Sequence, residues 1–164
     1  MTAKDQSLNL PKSLLAELTK LRQLNTLDIQ SNWHIQTGDH DPNDIFNSAT
    51  RTKQHNWSIA TLNNRQHIAW ARGLNVIWRY QSIAIPADLN GYPLTGLILR
   101  VALTWWADDA QIYVDGKLVQ SGDLFECFTR LCLCEQAIPE QTFEIAIRLV
   151  SPGHDYGALV RSQL

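Results

Sequence analysis

Residues 97–122, LILRVALTWWADDAQIYVDGKLVQSG, leave this chain little choice of fold. Leu97, Leu99, Val101, Leu103 and Trp105 set a large apolar side chain at every second position, with Arg100, Ala102 and Thr104 between them. That period marks a strand with one buried face and is incompatible with a helix. Ile112 and Val114 then alternate with Tyr113 up to Asp115-Gly116, a pair that tolerates the positive φ of a type I′ turn, and Leu118-Val119 brings the chain back antiparallel. A tight hairpin is expected here.

The same pattern recurs along most of the chain. Strands are expected at residues 57–62, 68–70, 76–85, 97–105, 111–115, 117–120, 129–134 and 143–150, the last with Phe143, Ile145, Ile147 and Leu149 facing one way and Glu144, Ala146 and Arg148 the other. Pro86 and Pro93 bound the loop after Ile85, since proline cannot donate to a central ladder. Many short strands joined by turn signals, without intervening helices, predict an all-β sandwich. Ahead of it, Leu14, Leu15, Leu18 and Leu21 recur at helical spacing opposite Lys12, Glu17, Lys20 and Arg22, which predicts an amphipathic helix over about 11–24. Its leucine stripe is expected to dock on the sandwich edge. Leu27, Ile29 and Trp33 suggest a short strand, and residues 37–50, rich in Gly, Asp, Asn and Pro, read as a loop with few apolar anchors. The 164 residues are expected to form a single domain, helix about 11–24 and β-sandwich about 27–164.

Charge and composition exclude several functions. A formal net charge of −2, with basic and acidic residues interspersed, leaves no basic stripe for DNA or RNA. No apolar run reaches the length of a membrane span and MTAKDQSLNL lacks the apolar core of a signal peptide, so the expected location is the cytoplasm. Cys127, Cys132 and Cys134 are odd in number and lack paired CxxC spacing, so they read as reduced structural thiols, with Cys132 and Cys134 on one strand face. Asp39, His40 and Asp41 stand together in the expected loop, but a metal site needs ligands from several segments, and no metal is assigned.

Three stretches, NRQHIAWARGLNVIWRY (64–80), residues 85–125 around the hairpin, and IRLVSPGHDYGALVRSQL (147–164), resemble the N-terminal β-sandwich of bacterial α-mannosidases of glycoside hydrolase family 38. The resemblance runs from the N-terminal helix to the end of the chain, and SPGHDYGAL is its most specific piece. It implies a jelly roll of the galactose-binding-like type that precedes a catalytic domain in which an aspartate nucleophile and zinc act on terminal mannose. No part of that domain and no HxH or HExxH spacing is present in this chain, so no cofactor is expected within it.

Two groups of residues are candidate sites. Trp106, followed by Asp108 and Asp109, offers an indole to stack on a sugar ring and carboxylates to bond its hydroxyls, while alternation sends Trp105 to the core. His154 and Asp155 follow the turn sequence Ser151-Pro152-Gly153, and the resemblance implies that this loop lies at the junction with the catalytic domain. No catalytic residue is assigned. The function expected is that of a non-catalytic accessory domain of an α-mannosidase, with the catalytic domain as partner and mannose-containing glycan as a further contact. The alternatives are a free-standing carbohydrate-binding module and a protein-interaction module docking through the leucine helix.

Overall fold

Strand β11, Thr142–Val150, lies at the centre of the molecule because it can bury both faces: Phe143, Ile145, Ile147 and Leu149 point inward, and Ala146 on the reverse face is buried as well. In the computed structural model, which describes residues 11–48, 57–123, 125–127 and 130–164, the chain is all-β apart from short helical segments. Ala49, Thr50 and Thr129, at the ends of an expected loop and strand, lie outside the described residues, as do the first ten.

In chain order the strands are β1 His34–Thr37, β2 Ser58–Ile59, β3 Ile68–Trp70, β4 Val76–Ala84, β5 Asp88–Leu89, β6 Tyr92–Pro93, β7 Leu99–Trp106, β8 Asp109–Val114, β9 Lys117–Gly122, β10 Arg130–Cys134, β11 and β12 Gly157–Gln163. They form a six-stranded sheet in the order β2-β1-β4-β11-β8-β9, a four-stranded sheet β10-β7-β12-β3, and a small β5-β6 hairpin. All pairings are antiparallel. The inner faces share one core around Trp33, Ile68, Leu103, Trp105, Ile112, Ile147 and Leu159. Asp115 and Gly116 have φ of 49° and 77°, as the expected turn requires, and the Asp115 carboxylate accepts from the Glu144 backbone N–H at 2.8 Å, fixing the hairpin tip to β11.

The sequence expectation is corrected in several places. The helix, α1, runs Lys12–Asn25 but buries no residue: Leu14, Leu15 and Leu21 are exposed, and it meets the sandwich through its C-terminal end, where Asn90 Nδ2 donates to the Gln23 carbonyl at 2.8 Å. The expected strand at Leu27–Trp33 is a single bridge, Asp28 opposite Gln163, followed by a 3-10 turn at Gln30–Asn32, and the strand proper starts at His34. The strand expected at 57–62 is reduced to β2. The expected loop after Ile85 contains the β5-β6 hairpin, turning on Asn90-Gly91 with φ of 51° and 86°. A bulge in β10 separates Cys132, opposite Arg100 and exposed, from Cys134, opposite Leu99 and packed on the core, so the two do not share a face; all three thiols are free.

The loop after β1 also has an anchor that its polar composition hides. It contains a short helix, α2 (Pro42–Phe46), capped by the Asp41 carboxylate accepting from Asn43 N–H at 2.8 Å, and it drives Ile45 to full burial against the outer face of the six-stranded sheet. There Ile45, Trp78, Tyr80, Tyr113 and Ala146 form a second apolar cluster, edged by Phe46 and Trp57. Among the described residues the outer face of the other sheet carries no such cover. Among the described residues no helix is long and apolar enough to cross a membrane.

Candidate functional site

Successive residues of a strand point to opposite sides, and β7 uses this at its end: Trp105 is 1% exposed in the core, and Trp106 stands 48% exposed on the outer face of the four-stranded sheet. Trp106 pairs with Ala158 on β12, which pairs in turn with Ala69 on β3. Two alanines beside an indole leave a low floor next to a high wall. The result is an open concavity of about 700 Å³, within the range of ligand sites.

Its far rim is the turn leading into β3, where Asn63 Oδ1 accepts from the backbone N–H of Arg65 at 2.9 Å and of His67 at 3.1 Å. Held this way, the turn presents Asn64, Arg65 and His67 to the concavity. Asp155 and the exposed Tyr156 close the third side, the Asp155 carboxylate accepting from Tyr156 N–H at 2.7 Å. The surface so formed has two aromatic side chains, two carboxamides, an imidazole, a guanidinium and a carboxylate around an apolar floor. Among the described residues it has no nucleophile paired with a base. Cys127 does not line it, and burial pushes that thiol's pKa up, away from the reactive thiolate.

Of the residues expected from sequence, the structure brings Trp106 and Asp155 together and leaves His154 exposed on the same turn, outside the lining. Asp108 and Asp109 are not part of the concavity, because the chain crosses to the other sheet immediately after Trp106. Asp109 Oδ2 lies 3.5 Å from Arg148 Nη1, on the outer face of the six-stranded sheet. Asn63, Asn64, Arg65, His67 and Tyr156 are additions. They become visible only once β12 is recognised as a strand pairing β3 with β7.

Asp39, His40 and Asp41 each have a structural partner. Arg148 grips Asp39 with two parallel bonds, Nε to Oδ1 at 2.7 Å and Nη2 to Oδ2 at 2.8 Å, His40 Nε2 lies 3.0 Å from the Thr37 carbonyl, and Asp41 caps α2. Among the described residues no three His, Cys, Asp or Glu side chains gather as metal ligands. The Arg148 hydrogen bonds hold the Asp39 carboxyl below the usual carboxylate range, so the pair persists as pH falls until that lowered value is reached. Because Asp39 is largely exposed, Asp39→Asn is expected to cost less than about 1 kcal/mol of global stability. Amide exchange at Ile45 should nevertheless quicken, and unchanged protection would show that Ile45 holds the loop without the ion pair.

No protein-family model and no curated protein matches this chain. Among solved structures it is similar to a glycosyl hydrolase family 2 member from Bacteroides cellulosilyticus, with 12% identity and a TM-score of 0.52 over 85% of this chain and 20% of that one. A calcium-binding mutant of Bacteroides uniformis beta-glucuronidase 2 gives 13% identity and a TM-score of 0.50 over 85% and 18%. Ruminococcus gnavus beta-glucuronidase gives 11% and 0.45 over 77% and 21%. The chain spans about a fifth of the length of these proteins. At such identities the likeness shows the fold, an antiparallel sandwich that also occurs within family 2 glycoside hydrolases.

Proposed function

We propose that this chain is a non-catalytic accessory domain of a glycoside hydrolase that contacts glycan through the Trp106 concavity. The observation that carries the reading is the pairing of an exposed indole with Tyr156 over an alanine floor rimmed by hydrogen-bonding groups. A pyranose ring has an apolar face and a rim of hydroxyls, and this surface offers both complements. The sandwich shared with family 2 enzymes supports the glycosidase setting. The narrower assignment, a galactose-binding-like jelly roll from a cytoplasmic α-mannosidase, rests on residues 64–80, 85–125 and 147–164. On that reading the partner is the catalytic domain, which would hold the zinc, and this chain orients it and extends its hold on mannose-containing glycan.

Titration of the chain with methyl α-mannoside and α-linked mannobiose, followed by calorimetry and tryptophan fluorescence, tests the proposal. Saturable binding is expected, weakened about tenfold by Trp106→Ala and little changed by Trp106→Phe, which keeps a stacking face. Absence of heat at millimolar sugar, with no change in fluorescence, would sink glycan contact by this domain alone. A second reading, a protein-interaction module, is favoured by α1, whose Leu14, Leu15 and Leu21 are uncovered. In that case the occupant is the glycosidase catalytic domain, and the sugar titration is silent.

A further inference from the structure

The outer face of the four-stranded sheet carries three guanidinium groups, Arg100 on β7, Arg130 on β10 and Arg161 on β12. None of them has an ion pair or hydrogen bond among the described residues. Antiparallel register decides which of them converge. Arg130 stands opposite Ala102, Gln163 stands opposite Ala102 from the other side, and Arg161 stands opposite Thr104. Because Ala102 and Thr104 are short, the longer side chains enclose a hollow of about 120 Å³ lined by these five residues.

Every polar group that lines this hollow can donate: two guanidinium forks, a hydroxyl and a carboxamide. Among the described residues no carboxylate lines it. Two like charges held around a small polar hollow repel one another, and a shared anion reverses the sign of the interaction. Guanidinium groups match the planar oxygens of a carboxylate, and the oxygens of sulfate, with paired N–H bonds. The hollow is also linked to the Trp106 concavity through shared lining residues. Arg161, Thr104 and Gln163 line a second hollow beside it, and Val160 belongs both to that one and to the Trp106 concavity. Asp28 is the acidic residue bordering the second hollow, and its Oδ1 is engaged by Gln30 N–H at 2.8 Å. Along β7, Trp106, Thr104 and Ala102 face the same way, which puts the two ends of the trough about 13 Å apart at ordinary strand rise.

We propose that Arg130 and Arg161, with Thr104 and Gln163, form a subsite for an oxyanion of the carboxylate or sulfate class, and that the anion is carried by a saccharide reaching over from Trp106. The second half rests on the carbohydrate reading above; the first does not. The intact chain, labelled for NMR, is titrated at constant ionic strength, set with sodium chloride, with sodium sulfate, with sodium glucuronate and with a sulfated uronic-acid disaccharide. Sulfate is expected to give saturable shifts centred on Thr104 and Gln163, weakened at least tenfold by Arg130→Gln or Arg161→Gln and untouched by Trp106→Ala. These arginines are exposed, so the substitutions leave the core unchanged. The disaccharide should bind more tightly than sulfate and lose affinity in both Arg161→Gln and Trp106→Ala. Shifts that chloride reproduces, or that survive both arginine substitutions, overturn the subsite. Sulfate binding as well as the disaccharide, with Trp106→Ala silent, keeps the oxyanion subsite and overturns its link to a saccharide.

Discussion

Gly157→Ala is expected to lower the stability of this domain by about 3 kcal/mol, the upper part of the range for forcing a methyl group into a packed interior. Gly157 begins β12 directly opposite Trp70 on β3, and the indole lies across it. A Cβ at position 157 would sit 2.3 Å from both Cε2 and Cζ2 of Trp70 and 2.8 Å from Cδ2. The ring has little freedom to retreat. Its Nε1 donates to the Asn75 carbonyl at 3.2 Å, and the Arg79 guanidinium lies over it at 4.4 Å from the ring centroid. The backbone of Gly157 is not left-handed, so alanine suffers no conformational strain there, and its stiffer unfolded chain offsets a fraction of the steric cost. Gly153→Ala provides the control, since its Cβ would meet one methyl, Leu74 Cδ2, at an ordinary 4.0 Å and its backbone is likewise unstrained. Urea titrations of the three chains should place Gly153→Ala near the parent and Gly157→Ala well below it. Adding Trp70→Leu to Gly157→Ala should then cost less than the two separate changes combined, because the clash is removed with the ring. A loss under about 0.5 kcal/mol in Gly157→Ala would mean that the indole has another position, and the floor of the Trp106 concavity would be softer than its geometry implies.

β3, β7 and β11 are legible in the sequence because their large residues stand at every second position, and the Asp115-Gly116 turn is coded by two adjacent residues. β12 escaped because a bulge at Val160 shifts its register between Leu159 and Arg161, while Gly157 and Ser162 stand where a pattern would want bulk. Ser162 is nonetheless fully buried, accepting from Trp33 Nε1 at 2.8 Å and donating to Gln30 Oε1 at 2.7 Å, a network no local spacing encodes. Ile45 is hidden for a related reason: Ile45 and Phe46, two adjacent apolar residues in a polar loop, set no period, and their partner face is built by Trp78, Tyr80 and Tyr113 from distant strands. The site divides the same way. Trp106 was legible because Trp105-Trp106 is a strand pair, whereas its rim at Asn63–His67 requires β12 to join β3 to β7. Asp108 and Asp109 were grouped with Trp106 by adjacency in the chain, but the crossing between sheets separates them.

Between pH 8 and 10.5 the parent chain is expected to gain about 2 kcal/mol of stability relative to Arg79→Met. Arg79 points inward from the middle of β4 and is fully buried, with no carboxylate paired to it among the described residues. Its Nη2 donates to the Ile68 carbonyl at 3.0 Å, while Nε and Nη1 have no partner among the described residues. Burial alone pushes its pKa down from the ordinary guanidinium value to about 9. A base with a depressed folded pKa binds fewer protons folded than unfolded between the two values. Stability therefore rises as pH climbs past about 9 toward the ordinary guanidinium value, and the cost of the buried charge is present in full below that window. Burial raises the pKa of Tyr113 and of Cys127, and for these acids the sign is opposite: stability falls as pH climbs past their ordinary values. Both groups remain in Arg79→Met, so the difference between the two chains isolates the guanidinium. Methionine keeps an unbranched apolar side chain in the core without a charge, which makes it the better reference than alanine and its cavity. Urea unfolding of both proteins at pH 8 and 10.5 reads the difference directly. If the difference stays flat, the face of Trp70 and the Ile68 carbonyl hold the cation as well as water does, and the stack of Gly157, Trp70 and Arg79 supports β3 and β12 beneath the Trp106 concavity with its charge intact.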